Sequence, residues 1–269
     1  MNAVKCACII VAIFFLFMLT WKHRYSFLTV SNLVPFYYKR IYDGANNKPF
    51  TIVQRYNVNP EDKNIISASI YGTNPIYYNG LDKVIQLVMD KYKNWRMRVY
   101  CHDKAPPQYI NKLISNPHIQ VFIVHDEMVI PGNSAGAFWR FMPLSEEGIN
   151  FISVDADDDF IIFPPEVLDK WLMSDKDAIR AFLNLHFFYG KTHVCAKYFG
   201  CKSTIKMNPH EITHYKLRDR FGSDELFLSR VLYPLMKGRE YMYYTDTMNK
   251  LIYMISIPKN FIRMDQRKS

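Results

Sequence analysis

"INFISVDADDD", residues 149–159, sets an apolar run directly against a cluster of aspartates. The run reads as a buried strand, and Asp155, Asp157, Asp158 and Asp159 gather at its carboxyl end. In open α/β sheets, ligands bind outside the carboxyl ends of the strands. Two carboxylates at i and i+2 beyond a strand can meet one divalent ion if the loop turns between them. Hard oxygen ligands of this kind suit Mg2+ or Mn2+, which complete their shells with water and substrate phosphate. By spacing alone, a solvated acidic turn and a metal site both fit. Asp155 and Asp157 are the better pair, because Asp155 follows the strand directly. Asp158 and Asp159 orient the loop or face water.

The flanking sequence gives that strand its neighbours. "NIISASIYG" reads as a strand ending at Gly72. Leu81, Val84, Ile85, Val88, Met89 and Tyr92 fall at helical spacing and predict an amphipathic helix over 76–93. "RMRVYC" and "IQVFIV" are further strands, and Pro107 in "APPQYINKLIS" is placed to start a helix between them. This β-α-β-α-β run predicts a parallel sheet covered on both faces. Downstream, "SAGAFWRFMPLSE" and "PPEVLDKWLMS" read as helices and "DAIRAF" as a strand. "PHEITHYKLRDRF" and "SDELFLSRVLYPLM" read as two more helices. The second is predicted to use Ser223 as N-cap, with Asp224 and Glu225 in the first turn, where carboxylates favour the helix dipole.

Composition bounds the partners. The chain has 269 residues, 49% hydrophobic and 16% aromatic, enough for a sizeable core and too apolar for a disordered chain. Lys plus Arg number 34 against 25 Asp plus Glu, a net charge of +9 that favours anionic partners. The basic residues are scattered, so a nucleic-acid partner is not expected. Five cysteines show no CxxC pair, which argues against a zinc site or a disulfide framework. "CACIIVAIFFLFMLTW", from Cys6 to Trp21, carries no charge and lacks a clear small-residue cleavage site. It is expected to be an uncleaved, single-pass membrane anchor within residues 1–24. Both flanks are positive, which leaves the side of the membrane open. Residues 25–63 are turn-rich and expected as a stem, 64–250 as the folded domain, and 251–269 as a tail.

"GAFWRFMPLSEEGINFISVDADDD" as a whole resembles a family of glycosyltransferase-like proteins of bacteria and large viruses. Members carry an "FWRF" helix, a strand, and an aspartate-x-aspartate motif. "IYGTNPIYYNGLDKVIQLVMDKYKNWRMRVYCHDKAPP" and "FGSDELFLSRVLYPLMK" are similar to the family's opening and closing segments, and the resemblance covers about 65 to 247. It implies a GT-A-like, Rossmann-type α/β fold: a mostly parallel mixed sheet with helices on both faces. It implies a metal-dependent transferase that takes a nucleotide-sugar donor, uses Mn2+ or Mg2+, and moves the sugar to a glycan or protein acceptor. Tyr71 and Gly72 match the place where the first strand meets the nucleotide. Arg140 would reach the donor phosphate or brace the acidic loop, or else pair with Glu146 or Glu147 as a helix-surface arginine. Asp155 and Asp157 match the metal motif, with Asp155 also on the donor. Asp224 and Glu225 match the position of a carboxylate near the acceptor, where a general base would act. Trp139 and Phe138 read as core.

Three departures from the family pattern stand out. Val154 replaces an arginine before the first aspartate, and "YYTDTM" carries Asp246 but no late histidine. "HVCAKYFGCK" replaces a glycine-rich segment, so Lys197 would narrow the pocket or add a phosphate contact. These departures support an alternative, a non-catalytic relative that binds a glycan or nucleotide. His186 and His193 are candidates for metal or acceptor contact, with a packed core role as the default. A two-metal phosphoryl transferase would need a further converging carboxylate.

Overall fold

The computed structural model describes residues 48–130, 133–158, 160–182, 194–215, 217–220 and 222–244. The expected anchor and most of the stem, Asp159, His186, His193 and Asp246 lie outside them. Among the described residues no helix is long and apolar enough to cross a membrane.

Strand β2 (Asn64–Ile70) is the axis of the fold. Its apolar side chains point alternately to two cores. Ile66, Ala68 and Ile70 join one cluster, and Ile65 joins the other. Helix α1 (Pro75–Lys91) follows, capped by the Asn74 side chain, which accepts the Ile76 N–H at 3.1 Å. Tyr78, Leu81, Val84, Ile85 and Val88 bury its apolar stripe. Next come β3 (Arg96–His102), α2 (Pro107–Ile114) and β4 (Ile119–His125). Strand β5 (Asn150–Ser153) returns to pair with β2 on its other side, in parallel. After α3 (Pro165–Met173) the chain forms β6 (Ala178–Phe182) and β7 (Phe199–Cys201), then α4 (Pro209–Thr213). Helix α5 (Ser223–Phe227), a π-helical stretch (Leu228–Leu232) and α6 (Tyr233–Met236) follow one another before β8 (Glu240–Tyr244).

With β1 (Thr51–Tyr56) the sheet has eight strands, in the order β1-β4-β3-β2-β5-β7-β6-β8. The pairs β2–β3, β3–β4, β2–β5 and β6–β8 are parallel; β1–β4, β5–β7 and β6–β7 are antiparallel. Helices α1, α2 and α3 cover one face. The segment from Ala135 to Ser145, α4, α5 and α6 supply the core of the other. The mixed, mostly parallel sheet with helices on both faces therefore agrees with the sequence. Its strand order reverses at β2, so the carboxyl ends of β2 and β5 border a topological switch point, where open α/β sheets bind ligands.

Three local expectations are corrected. Strand β1 lies inside 25–63, expected as a stem; it is a mostly exposed edge strand and shows no apolar alternation. "AGAFWRFMPLS" is a 3-10 segment with Pro143 inside it, which removes a backbone donor from any α-helix there. Ser223 is not the N-cap. Gly222 takes that place at φ 71°, and buried Ser223 donates from Oγ to the Arg218 carbonyl at 3.3 Å.

Candidate functional site

The 3-10 segment (Ala135–Ser145) is fastened to β2 by two hydroxyls. Ser69 Oγ accepts the Arg140 N–H at 3.0 Å, and Ser67 Oγ donates to the Arg140 carbonyl at 2.8 Å. Phe138 and Trp139 are fully buried, as expected of core residues. Trp139 Nε1 donates to Asp126 Oδ2 at 2.9 Å, and Arg218 Nη2 reaches Asp126 Oδ1 at 3.2 Å. Held this way, the segment delivers the Arg140 side chain to the switch point.

Arg140 is 6% exposed and belongs to the crevice. Its Nη1 donates to the Val154 carbonyl at 3.2 Å and contacts Asp155 Oδ1, while Nη2 donates to Asp224 Oδ2 at 3.0 Å. Burial pulls this guanidinium down, but the charges of Asp155 and Asp224 outweigh it and leave it raised. The alternative pairing with Glu146 or Glu147 does not occur. Glu146 binds Arg98 at 2.6 Å and Glu147 binds Lys206 at 2.6 Å.

Tyr71 and Gly72 leave β2 at the same edge. The Tyr71 ring meets Trp139 edge-on at 5.6 Å, and Gly136 leaves room for it, since a Cβ there would come within 2.4 Å of the Tyr71 ring. Burial pushes the Tyr71 phenol up to about 12; Arg140 opposes this, and Asp224, Tyr77 and Asp155 add to it. Gly72 turns at φ 74°, and its carbonyl accepts from Tyr78 Oη at 2.7 Å.

Lys197 closes the other side. Its Nζ donates to Asp158 Oδ1 at 3.0 Å and lies 4.0 Å from Asp155 Oδ2. Burial lowers this ammonium and Asp158 more than compensates, leaving it raised. Burial raises Asp158 despite the opposing Lys197, helped by Asp155 and Asp157.

Asp224 and Glu225 differ in their partners. Asp224 is held by Arg140, and its Oδ1 accepts the Glu225 N–H at 3.0 Å. Burial raises the Glu225 carboxyl, and the charge of Asp224 raises it further against a hydrogen bond from Cys195.

Tyr71, Arg140, Asp155, Asp224, Glu225 and Lys197 are thus brought to one crevice. Asp157 is exposed, and among the described residues no side-chain bond holds it. The carboxylates near this point, Asp155, Asp157, Asp158, Asp224 and Glu225, offer hard oxygen donors, of which Asp155 and Asp224 already pair with Arg140 and Asp158 with Lys197. Such oxygens suit Mg2+ or Mn2+ rather than a softer metal. Among the described residues no three His, Cys, Asp or Glu side chains form a ready-made metal set. An ion here would take one or two carboxylates and complete its shell from water and phosphate.

Sequence reasoning missed Ser67, Ser69 and Cys195. Two serines alternating inside an apolar strand were the available signal for the first two, because buried hydroxyls need partners. For Cys195 there was none.

No protein-family model and no curated protein matches the chain. Among solved structures it is similar to the glycosyltransferase GlyE of Streptococcus pneumoniae TIGR4, with 10% identity and a TM-score of 0.39. That likeness covers 67% of this chain and 45% of GlyE. It is also similar to the mannosyltransferase PcManGT from Pyrobaculum calidifontis in complex with GDP-Man and Mn2+, with 14% identity and a TM-score of 0.34. There the match covers 62% of this chain and 51% of the other. The chain spans about half the length of the structures it matches.

Proposed function

We propose that the chain is a glycosyltransferase, moving a sugar from a nucleotide-diphosphate sugar to a hydroxyl of a glycan or protein acceptor. One observation carries this reading. The loop after β2, the acidic loop after β5 and the start of α5 meet at the switch point, joined through Arg140. Sheet topology favours a ligand there, and the ordered motifs of the sequence resemble a nucleotide-sugar family.

The residues divide the work by their surroundings. Tyr71 and Gly72 border the nucleotide end. Arg140 and Lys197 supply positive charge toward the donor phosphates. Glu225, raised by burial and in no ion pair among the described residues, takes the proton of the acceptor hydroxyl as it attacks the anomeric carbon. Asp224 orients Arg140 and is a positioning residue. Asp155 and Asp157 would hold Mn2+ or Mg2+. When bound, such an ion neutralises charge on the departing diphosphate. A membrane anchor within residues 1–24 belongs to the same proposal.

Nucleotide-sugar hydrolysis and transfer are measured with Mn2+, for the natural chain and for Asp157→Ala. The expected result is turnover in the first and loss of at least about tenfold in the second. Equal turnover in both would sink the metal role. Calorimetry with uridine and guanosine diphosphates completes the test. Binding without turnover of any donor favours the non-catalytic relative.

A further inference from the structure

Helix α1 carries a glycine in its middle, Gly80, and glycine is the poorest helix former after proline. It is buried, with ordinary helical backbone, so no positive φ explains it. Close approach does. A Cβ at Gly80 would come within 2.3 Å of the Ala156 carbonyl oxygen and 2.9 Å of the Asp157 Cα. The atoms met are backbone, which cannot rotate aside as a side chain would. The helix therefore lies directly against the acidic loop at Asp157, whose carboxylate is exposed and has no side-chain bond among the described residues.

The same helix is tied to the other side of the crevice. Two residues earlier, Tyr78 Oη donates to the Gly72 carbonyl at 2.7 Å, and the Tyr78 ring packs edge-on against Tyr109 at 4.7 Å. One rigid element thus touches the turn after β2 and the loop after β5. Among the described residues the loop's side-chain ties are Arg140 on Asp155 and Lys197 on Asp158. Asp157 lies between those two, and its backbone rests against the helix at Gly80.

We infer that Gly80 is a positioning residue for Asp157, allowing α1 to set how far that carboxylate stands into the crevice. This inference rests on the metal role proposed for Asp157. A methyl group at Gly80 would push the Ala156–Asp157 backbone off the helix. The ion would then meet its ligand displaced, while the helix itself gains a better helix former.

The test uses the full chain. Affinity for Mn2+ is read from the electron paramagnetic resonance signal of the free ion, with uridine or guanosine diphosphate present. The natural chain, Gly80→Ala and Asp157→Asn are compared, and thermal melting is recorded for each. Gly80→Ala is expected to stay folded but to melt lower, by about 2–12 °C, because forcing a methyl group against backbone costs about 1–3 kcal/mol. It is expected to bind Mn2+ about 10–100-fold more weakly, the range seen when the support of a ligand is lost. If Asp157→Asn weakens binding while Gly80→Ala stays within about twofold of the natural chain, the role of Gly80 is overturned and the metal reading stands. If neither substitution changes the affinity, the metal reading falls and takes this inference with it. If Gly80→Ala does not fold, Gly80 serves the fold rather than the site, and the inference is likewise overturned.

Discussion

Arg140 Nη2 donates to Asp224 Oδ2 at 3.0 Å and thereby joins the 3-10 segment to the first turn of α5. The side chains are only 7% and 14% exposed. Removing one partner of a buried ion pair strands the other charge out of water. Arg140→Leu strands Asp224 and, less completely, Asp155, so it is expected to lower stability by about 3 kcal/mol, the lower end of the usual range. Unfolding in urea checks this, and a loss below about 1 kcal/mol would contradict the assignment of this pair as buried.

Glu225 makes a pH prediction. Its carboxyl is raised by burial and then by Asp224. The folded chain therefore holds that proton more tightly than the unfolded chain. The resulting stabilisation is fully present below the unfolded pKa and is lost as pH rises through the folded pKa. Over that window the natural chain should lose stability relative to Glu225→Gln, which cannot ionise. The raised Asp158 is common to both chains and cancels. If Glu225 is the general base, kcat/KM rises with pH over the same window. Glu225→Gln then removes that rise and about 100-fold of the rate.

The two members of the metal pair should separate by stability alone. Asp155 accepts from buried Arg140, whereas Asp157 is exposed and has no side-chain bond among the described residues. Asp155→Ala is expected to cost about 1–3 kcal/mol, because it leaves a buried donor with one acceptor fewer. Asp157→Ala should stay within about 0.5 kcal/mol of the natural chain. Parallel urea titrations decide it, and equal losses would contradict the geometry.

Ser69→Ala removes the acceptor of the Arg140 N–H without touching the crevice. An unsatisfied buried amide costs about 1–3 kcal/mol. Thermal unfolding, with hydrogen exchange at the Arg140 amide, should show the loss and a faster amide.

What the sequence made legible follows from what its patterns encode. Strands β2, β3 and β4 are buried on both faces, so they appear as apolar runs, and α1 shows its stripe at helical spacing. β1 is mostly exposed and β7 has three residues, too little for either to leave a period. The aspartates after β5 were readable as a strand-end loop. Arg140 as a brace of that loop was readable too, 15 residues before Asp155, but its second partner Asp224, 84 residues on, and the Lys197 partner of Asp158, 39 residues on, were not. Only the folded sheet brings those charges together. The same holds for Gly80, whose purpose lies in a loop on another strand.

The three-residue strand β7 has a mechanical meaning. It meets β5 through Phe151↔Cys201 and Ile152↔Gly200, and meets β6 through three residue pairs. Its central Gly200 has no side chain, and a Cβ there would press within 2.4 Å of the Phe151 carbonyl oxygen. The sheet is thus two leaves sewn along a short seam, five strands from β1 to β5 on one side and β6 with β8 on the other. Among the described residues two residue pairs are all that join the leaf of β6 and β8, through β7, to the edge of β5, and Lys197 stands just before that join.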